Sequence, residues 1–118
     1  YNALKKSGAF EHMASRGVEH LHIYGIDNVL TRAADPLFVG SCIAQGSEIG
    51  KKVVWRANAS EKVGVAVEKE GRMAILEYSE IPSELADAVD DAGKLTYGAG
   101  NICNHYVRAS FLRDVHSV

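Results

Sequence analysis

Apolar and polar positions alternate along this chain with two different periods, and the switches between them mark its elements. Over residues 2–16 the apolar positions Leu4, Phe10 and Met13 stand among polar neighbours, and Gly17 closes the stretch. That pattern predicts a helix with a glycine stop. Residues 20–26 alternate and then turn apolar, as a buried strand does, and the run Ile23-Tyr24-Gly25-Ile26 stops abruptly at Asp27-Asn28. Asp35 can cap a helix that begins at Pro36, runs to about Ala44 and has Gly46 after it. Residues 52–55 form a short strand. Residues 63–69 and 73–78 are alternating runs joined by Glu70-Gly71, the mark of a hairpin. Residues 83–92 predict a helix capped by Ser83, with Leu85, Ala88 and Val89 on one face and Gly93 at its end. Residues 95–97 read as a strand, Ala99-Gly100-Asn101 as a break, residues 102–107 as a strand again, and residues 110–115 as the start of a last helix.

Helices that alternate with strands argue an α/β fold, a mixed sheet with crossovers and flanking helices. A length of 118 residues, with two prolines and no Ser/Gly-rich linker, is one domain at most. The chain begins at Tyr1 inside a helical pattern and stops at Val118 just after another helical start, which reads as a piece of a longer protein. Such a piece is expected to lack sheet partners and half of an active site, and to be inactive alone. Thirteen basic against fifteen acidic residues leave a net charge of −2, which supports neither nucleic-acid nor membrane-surface binding. No apolar run is long enough to span a bilayer, and no signal-peptide pattern is visible. Cys42 and Cys103 lack metal-type spacing and read as buried, reduced thiols. Together these features point to the cytoplasm. They leave the oligomeric state open.

The chemistry-bearing candidates are few. Asp27 ends an apolar strand, where open α/β sheets bind ligands. It either holds a divalent cation against substrate phosphates or caps the turn into Val29 with its own side chain. Glu77, at the end of a hydrophobic strand, is either an acceptor for two neighbouring sugar hydroxyls or an exposed strand-end acid. Tyr78 beside it is a core residue or a sugar-facing ring. Gly98-Ala99-Gly100-Asn101 allows close backbone approach to a ligand, and Asn101 offers a donor and an acceptor. The same segment also suits a bulge or a tight bend. Gly64 stands inside a strand, where either a ligand or a packed neighbour can need its space. Among the five histidines, His20 and His22 share one strand face, the best of a weak set of metal candidates, and His105, after Asn104, reads first as a satisfied core residue and second as a ligand neighbour. Asn58-Ala59-Ser60 matches a glycosylation sequon by chance, since no secretory signal precedes it. No glycine-rich phosphate loop or nucleophile triad is present.

Taken as an ordered set, these pieces resemble a known family. Tyr24-Gly25-Ile26-Asp27-Asn28, Ala34-Asp35-Pro36 with Phe38, Lys52-Val53-Val54, Glu61-Lys62-Val63-Gly64-Val65, Leu76-Glu77-Tyr78-Ser79-Glu80, Gly100-Asn101-Ile102 with Asn104-His105, and Phe111-Leu112 are similar to the eukaryotic UDP-N-acetylglucosamine pyrophosphorylases, and to UDP-sugar pyrophosphorylases more broadly. The resemblance covers nearly the whole chain. It implies part of a Rossmann-like (GT-A-like) nucleotidyltransferase domain that joins UTP and N-acetylglucosamine 1-phosphate with the help of Mg²⁺ or Mn²⁺. By position it makes Asp27 the acid beside metal and phosphates, Gly64 a backbone contact near the sugar, Glu77 the acid that holds sugar hydroxyls with Tyr78 next to it, and Asn101 a sugar-contacting amide. It places the family's nucleotide loop and Gly-Asn-Gly-Gly segment before Tyr1 and its phosphate-binding lysine beyond Val118. The chain departs from the pattern at Trp55, a usually polar position, at Ala59, where Pro is common, and at Gly98, where a larger residue is usual and whose loss is expected to widen the pocket. Two further readings stand beside this one: a catalytically silent sugar-nucleotide-binding or scaffold domain, and a pyrophosphorylase for galactose or glucose 1-phosphate.

Overall fold

The helix expected over residues 2–16 is broken in two, α1 (Asn2–Lys6) and α2 (Ala9–Ser15). Gly8 sits between them with φ of 72°, a left-handed conformation that ends one helix and starts the next. The computed structural model describes residues 2–115, and these fall into two units. One is built from the chain up to Lys51 and from Cys103 onward; the other is Lys52–Ile102.

In the first unit, β1 (His20–Tyr24) pairs antiparallel with the C-terminal half of β5 (Ala99–Arg108), from His20 opposite Arg108 to Tyr24 opposite Asn104. Phe10, Val107 and Leu112, the last on α5 (Ala109–Val115), form the core, and Leu4, Met13, Leu21 and Phe111 pack on it. The apolar positions of the helical pattern are thus the ones that meet the sheet, and their burial drives the docking of α2 and α5. β1 is less buried than its sequence suggests. It ends at Tyr24, and Ile26 is 92% exposed in the loop beyond. Helix α3 (Pro36–Ala44) has the expected bounds, and Asp35 Oδ1 accepts the Leu37 N–H at 3.2 Å as its cap.

In the second unit, the C-terminal part of β2 (Ile49–Trp55) leads to the hairpin of β3 (Val65–Lys69) and β4 (Arg72–Leu76). Glu70 and Gly71 both take positive φ, 52° and 73°, which is the twist a two-residue hairpin turn requires. Val65, fully buried, faces Leu76 on β4 and Gly100 on β5. The helix expected over residues 83–92 shrinks to α4 (Ser83–Ala86). Past its end the chain turns: Asp90 Oδ1 accepts from the backbone N–H groups of Ala92 and of Lys94, each at 2.9 Å, a local alternative to helical bonding. Residues 95–97 contribute only an isolated bridge, Leu95 opposite Val89.

The break expected at Ala99-Gly100-Asn101 does not exist, since β5 runs through it. Gly100 is a strand glycine because a Cβ there would stand 2.9 Å from the Val54 carbonyl. The irregular residue of β5 is Cys103, whose φ is 53°. Among the described residues, no helix is long and apolar enough to cross a membrane.

Candidate functional site

Strand register assembles the candidate site in the second unit. The antiparallel pairs put Leu76, Val65 and Gly100 side by side on β4, β3 and β5. One position further along each strand lie Glu77, Gly64 and Asn101, which the same register brings into a row on one sheet face. The Asn101 N–H donates to the Gly64 carbonyl at 2.7 Å, which confirms the pairing. A Cβ on Gly64 would stand 3.2 Å from both carboxylate oxygens of Glu77 and 3.1 Å from Ile75 Cγ2. The space that Gly64 leaves is therefore used by a packed neighbour, and that neighbour is Glu77 itself. The backbone of Glu77 is held by a tight turn: its N–H donates to Glu80 Oε2 at 3.3 Å, and the Glu80 N–H donates to its carbonyl at 2.8 Å. The carboxylate is left exposed, and Tyr78 beside it is half exposed, so Tyr78 is no core residue.

Two departures from the family pattern compensate each other. An added Cβ on Gly98 would fall within the indole of Trp55, against its Cε2 and Nε1. Gly98 thus opens no space: the Trp55 ring fills it, which corrects the expectation of a widened pocket. No signal in the chain alone linked two positions so far apart. Arg56, next to Trp55, also escaped sequence reasoning. A basic residue after an apolar strand ordinarily faces solvent, yet Arg56 is only 4% exposed.

Asp27 belongs to the first unit. The turn after β1 is closed by Asn28, whose Oδ1 accepts the Leu30 N–H at 3.2 Å and whose own N–H donates to the Gly25 carbonyl at 3.2 Å. Asp27 is exposed, and its carboxylate makes no hydrogen bond or ion pair among the described residues. The turn-capping role belongs to Asn28, which leaves the Asp27 oxygens available. Among the described residues there is no group of three or more His, Cys, Asp or Glu placed to hold a metal. A lone carboxylate suits Mg²⁺, which takes most of its octahedron from phosphate oxygens and water.

The loop that carries Asp27 is tied back to its own strand. The Ala34 N–H donates to His22 Nδ1 at 3.0 Å, so the ring proton sits on Nε2 and is donated to Asn104 Oδ1 at 2.7 Å. His20 Nδ1 lies 2.8 Å from the Tyr106 hydroxyl. Both histidines are committed to the fold, so their metal candidacy ends there. His105 is not the satisfied core residue expected: its Nδ1 is buried without a partner among the described residues, and burial, followed by the nearby Lys51 charge, lowers its pKa. Neither cysteine forms a disulfide, but only Cys42 is buried, which raises its thiol pKa; Cys103 is exposed.

Known proteins resemble this chain in sequence and fold. The family described as UTP--glucose-1-phosphate uridylyltransferase matches residues 1–117. UDP-N-acetylhexosamine pyrophosphorylase-like protein 1 of Homo sapiens is 46% identical over 98% of this chain and 23% of its own length. UDP-N-acetylglucosamine pyrophosphorylase of Saccharomyces cerevisiae is 42% identical over 96% of this chain and 24% of its own. A solved structure from Entamoeba histolytica, assigned as a UDP-N-acetylglucosamine pyrophosphorylase, superposes with a TM-score of 0.92 at 32% identity, over 98% of this chain and 29% of that one. The chain thus spans about a quarter of the length of the curated relatives it matches.

Proposed function

The chain belongs to the UTP–glucose-1-phosphate uridylyltransferase family, and on that premise we propose that the protein carrying it transfers a uridylyl group from UTP to N-acetylglucosamine 1-phosphate, giving UDP-N-acetylglucosamine and diphosphate in the cytosol. An oxygen of the sugar phosphate attacks the α-phosphorus of UTP in line; the new P–O bond forms as the bond to the β-phosphate breaks. Such a displacement needs positioning and charge neutralisation rather than a covalent nucleophile.

The observation that carries this reading is the row Glu77–Gly64–Asn101. The Glu77 carboxylate can accept from two sugar hydroxyls, and the Asn101 amide can both donate and accept, as an acetamido group or a hydroxyl requires. Between them the buried Gly64, lacking a side chain, leaves room for the Glu77 carboxylate to lie over the strand and face a hexose, with Tyr78 beside it. The relatives named for N-acetylated sugars favour N-acetylglucosamine 1-phosphate over glucose or galactose 1-phosphate. Asp27, with its oxygens unclaimed, would hold Mg²⁺ or Mn²⁺ against the phosphates. That ion, when bound, would offset charge on the α-phosphate and on the departing diphosphate. His22 keeps the loop carrying Asp27 anchored at Ala34.

The test is diphosphate release by the full-length protein with competing sugar 1-phosphates. Glu77→Gln and Asn101→Ala are expected to raise the KM for the sugar phosphate about tenfold to a hundredfold, the cost of a lost charge-assisted or buried hydrogen bond, and to leave the KM for UTP unchanged. An unaltered sugar KM in both variants removes the hexose site from this row. No turnover with any sugar phosphate leaves the silent-domain reading in its place.

A further inference from the structure

Arg56 is an expensive residue for its position. It is only 4% exposed, yet among the described residues its guanidinium is met by two backbone carbonyls and by no carboxylate, and its Nε–H is buried with no acceptor. A methionine of similar volume would avoid the cost of burying a charge and orphaning a donor. What the guanidinium achieves is a bridge. Nη1 donates to the Ala59 carbonyl at 3.3 Å, and Nη2 donates to the Tyr97 carbonyl at 2.7 Å. The Arg56 backbone N–H donates to the Gly98 carbonyl at 2.8 Å, and its Cγ packs 3.4 Å from the Cβ position of Gly100.

Those contacts fall on two segments. One, from Ala59 through Val63, delivers Gly64. The other, from Tyr97 through Gly100, delivers Asn101. Both end in the row that binds the hexose in the function proposed above. The first segment lacks regular structure from Arg56 to Gly64, so little else sets its path. Its other internal ties are the Glu61 carboxylate, which accepts from the Ala57 and Asn58 N–H groups, the Ser60 hydroxyl, which donates to Asn58 Oδ1, and short backbone turns.

We propose that Arg56 is a positioning residue for the hexose site: by cross-linking the Ala59 and Tyr97 carbonyls it sets the spacing and orientation of Gly64 and Asn101. It never touches the sugar. This rests on the assignment of the Glu77–Gly64–Asn101 row to the sugar. A residue with this role pulls on the sugar phosphate alone, because UTP meets neither segment in that assignment.

The experiment is steady-state kinetics on the full-length protein with Arg56→Met and Arg56→Lys, with Glu77→Gln as the reference for the row. Arg56→Met is expected to raise the KM for the sugar 1-phosphate roughly tenfold to a hundredfold, the range that follows from misplacing a binding group by about an ångström, and to keep the KM for UTP within about twofold. Arg56→Lys, which retains donors that reach the carbonyls, is expected to recover most of that loss. If Arg56→Met does not fold, Arg56→Gln, which keeps one donor group, takes its place. An unchanged sugar-phosphate KM in a folded Met or Gln variant overturns the proposal while Glu77→Gln still shows its effect. So does a parallel loss of kcat and of both affinities that follows the folded fraction, since that is the behaviour of a residue needed only for stability. If Glu77→Gln itself has no effect, the assignment of the row has failed, and the proposal fails with it.

Discussion

Both carboxylate oxygens of Glu77 lie 3.2 Å from the point where a Cβ of Gly64 would stand. The two residues come from adjacent strands, one step past the Val65–Leu76 pair. Their contact turns a strand-end acid into a side chain folded over bare backbone. Gly64→Ala fits the backbone, since Gly64 has no left-handed φ, and its methyl displaces Ile75 Cγ2, 3.1 Å away, and the exposed Glu77 carboxylate by a few tenths of an ångström. Stability is expected to change by less than about 1 kcal/mol, because lower unfolded-state entropy offsets the crowding. The KM for N-acetylglucosamine 1-phosphate is expected to rise about tenfold, the equivalent of about 1.4 kcal/mol. Denaturant melts beside kinetics check both; a destabilised variant with normal sugar affinity would show that the glycine serves packing alone.

Asp27→Asn keeps the shape of the side chain and removes its charge. Turnover is expected to fall by about a hundredfold or more, because a carboxylate-held metal supplies several kcal/mol of charge stabilisation. The Mg²⁺ concentration for half-maximal rate is expected to increase. Titration of Mg²⁺ into both proteins measures it, and unchanged turnover at every Mg²⁺ level would remove the metal role from this residue.

Trp55 and Gly98 are expected to behave as one unit. Gly98→Ala alone places a methyl within the indole and is expected to cost about 1–3 kcal/mol through overpacking. With Trp55→Ala present the same change meets open space. The coupling between the two, from a double-mutant cycle by urea unfolding, is expected at about 1–2 kcal/mol. Additive effects would contradict the steric link.

The lowered pKa of His105 carries a pH signature. Its folded pKa lies below the ordinary 6.5, so the unfolded chain takes up the proton more readily. Above 6.5 the residue costs nothing; as pH falls through 6.5 toward the folded value, stability is lost. His105→Gln removes this titration. The stability difference between about pH 8 and pH 5, from unfolding midpoints, is expected to be smaller in the variant than in the parent. An equal difference in both proteins would place the titration elsewhere.

Much of the local structure was legible along the chain, because it depends on neighbours in sequence. The cap at Asp35, the helix from Pro36 to Ala44 and the hairpin about Glu70-Gly71 all follow from side-chain and backbone chemistry within a few residues. So does the apolar stripe of Leu4, Phe10 and Met13, which packs on the core as its period requires. Where a local rule was overridden, local groups were again involved: Gly8 split the first helix, and the Asp90 carboxylate took the Ala92 N–H in the stretch expected to continue α4. The order of blocks along the chain also made the family recognisable.

Tertiary structure decided what lies across strands. Glu77, Gly64 and Asn101 are separate in sequence and become a row only through the register of β4, β3 and β5. The indole of Trp55 over Gly98 and the buried Arg56 bridge depend on β2 lying along β5, which no single-strand pattern encodes. Periodicity records which face a residue takes. The partner it meets on that face is set by long-range hydrogen bonding and packing, which exist only once the sheet has closed.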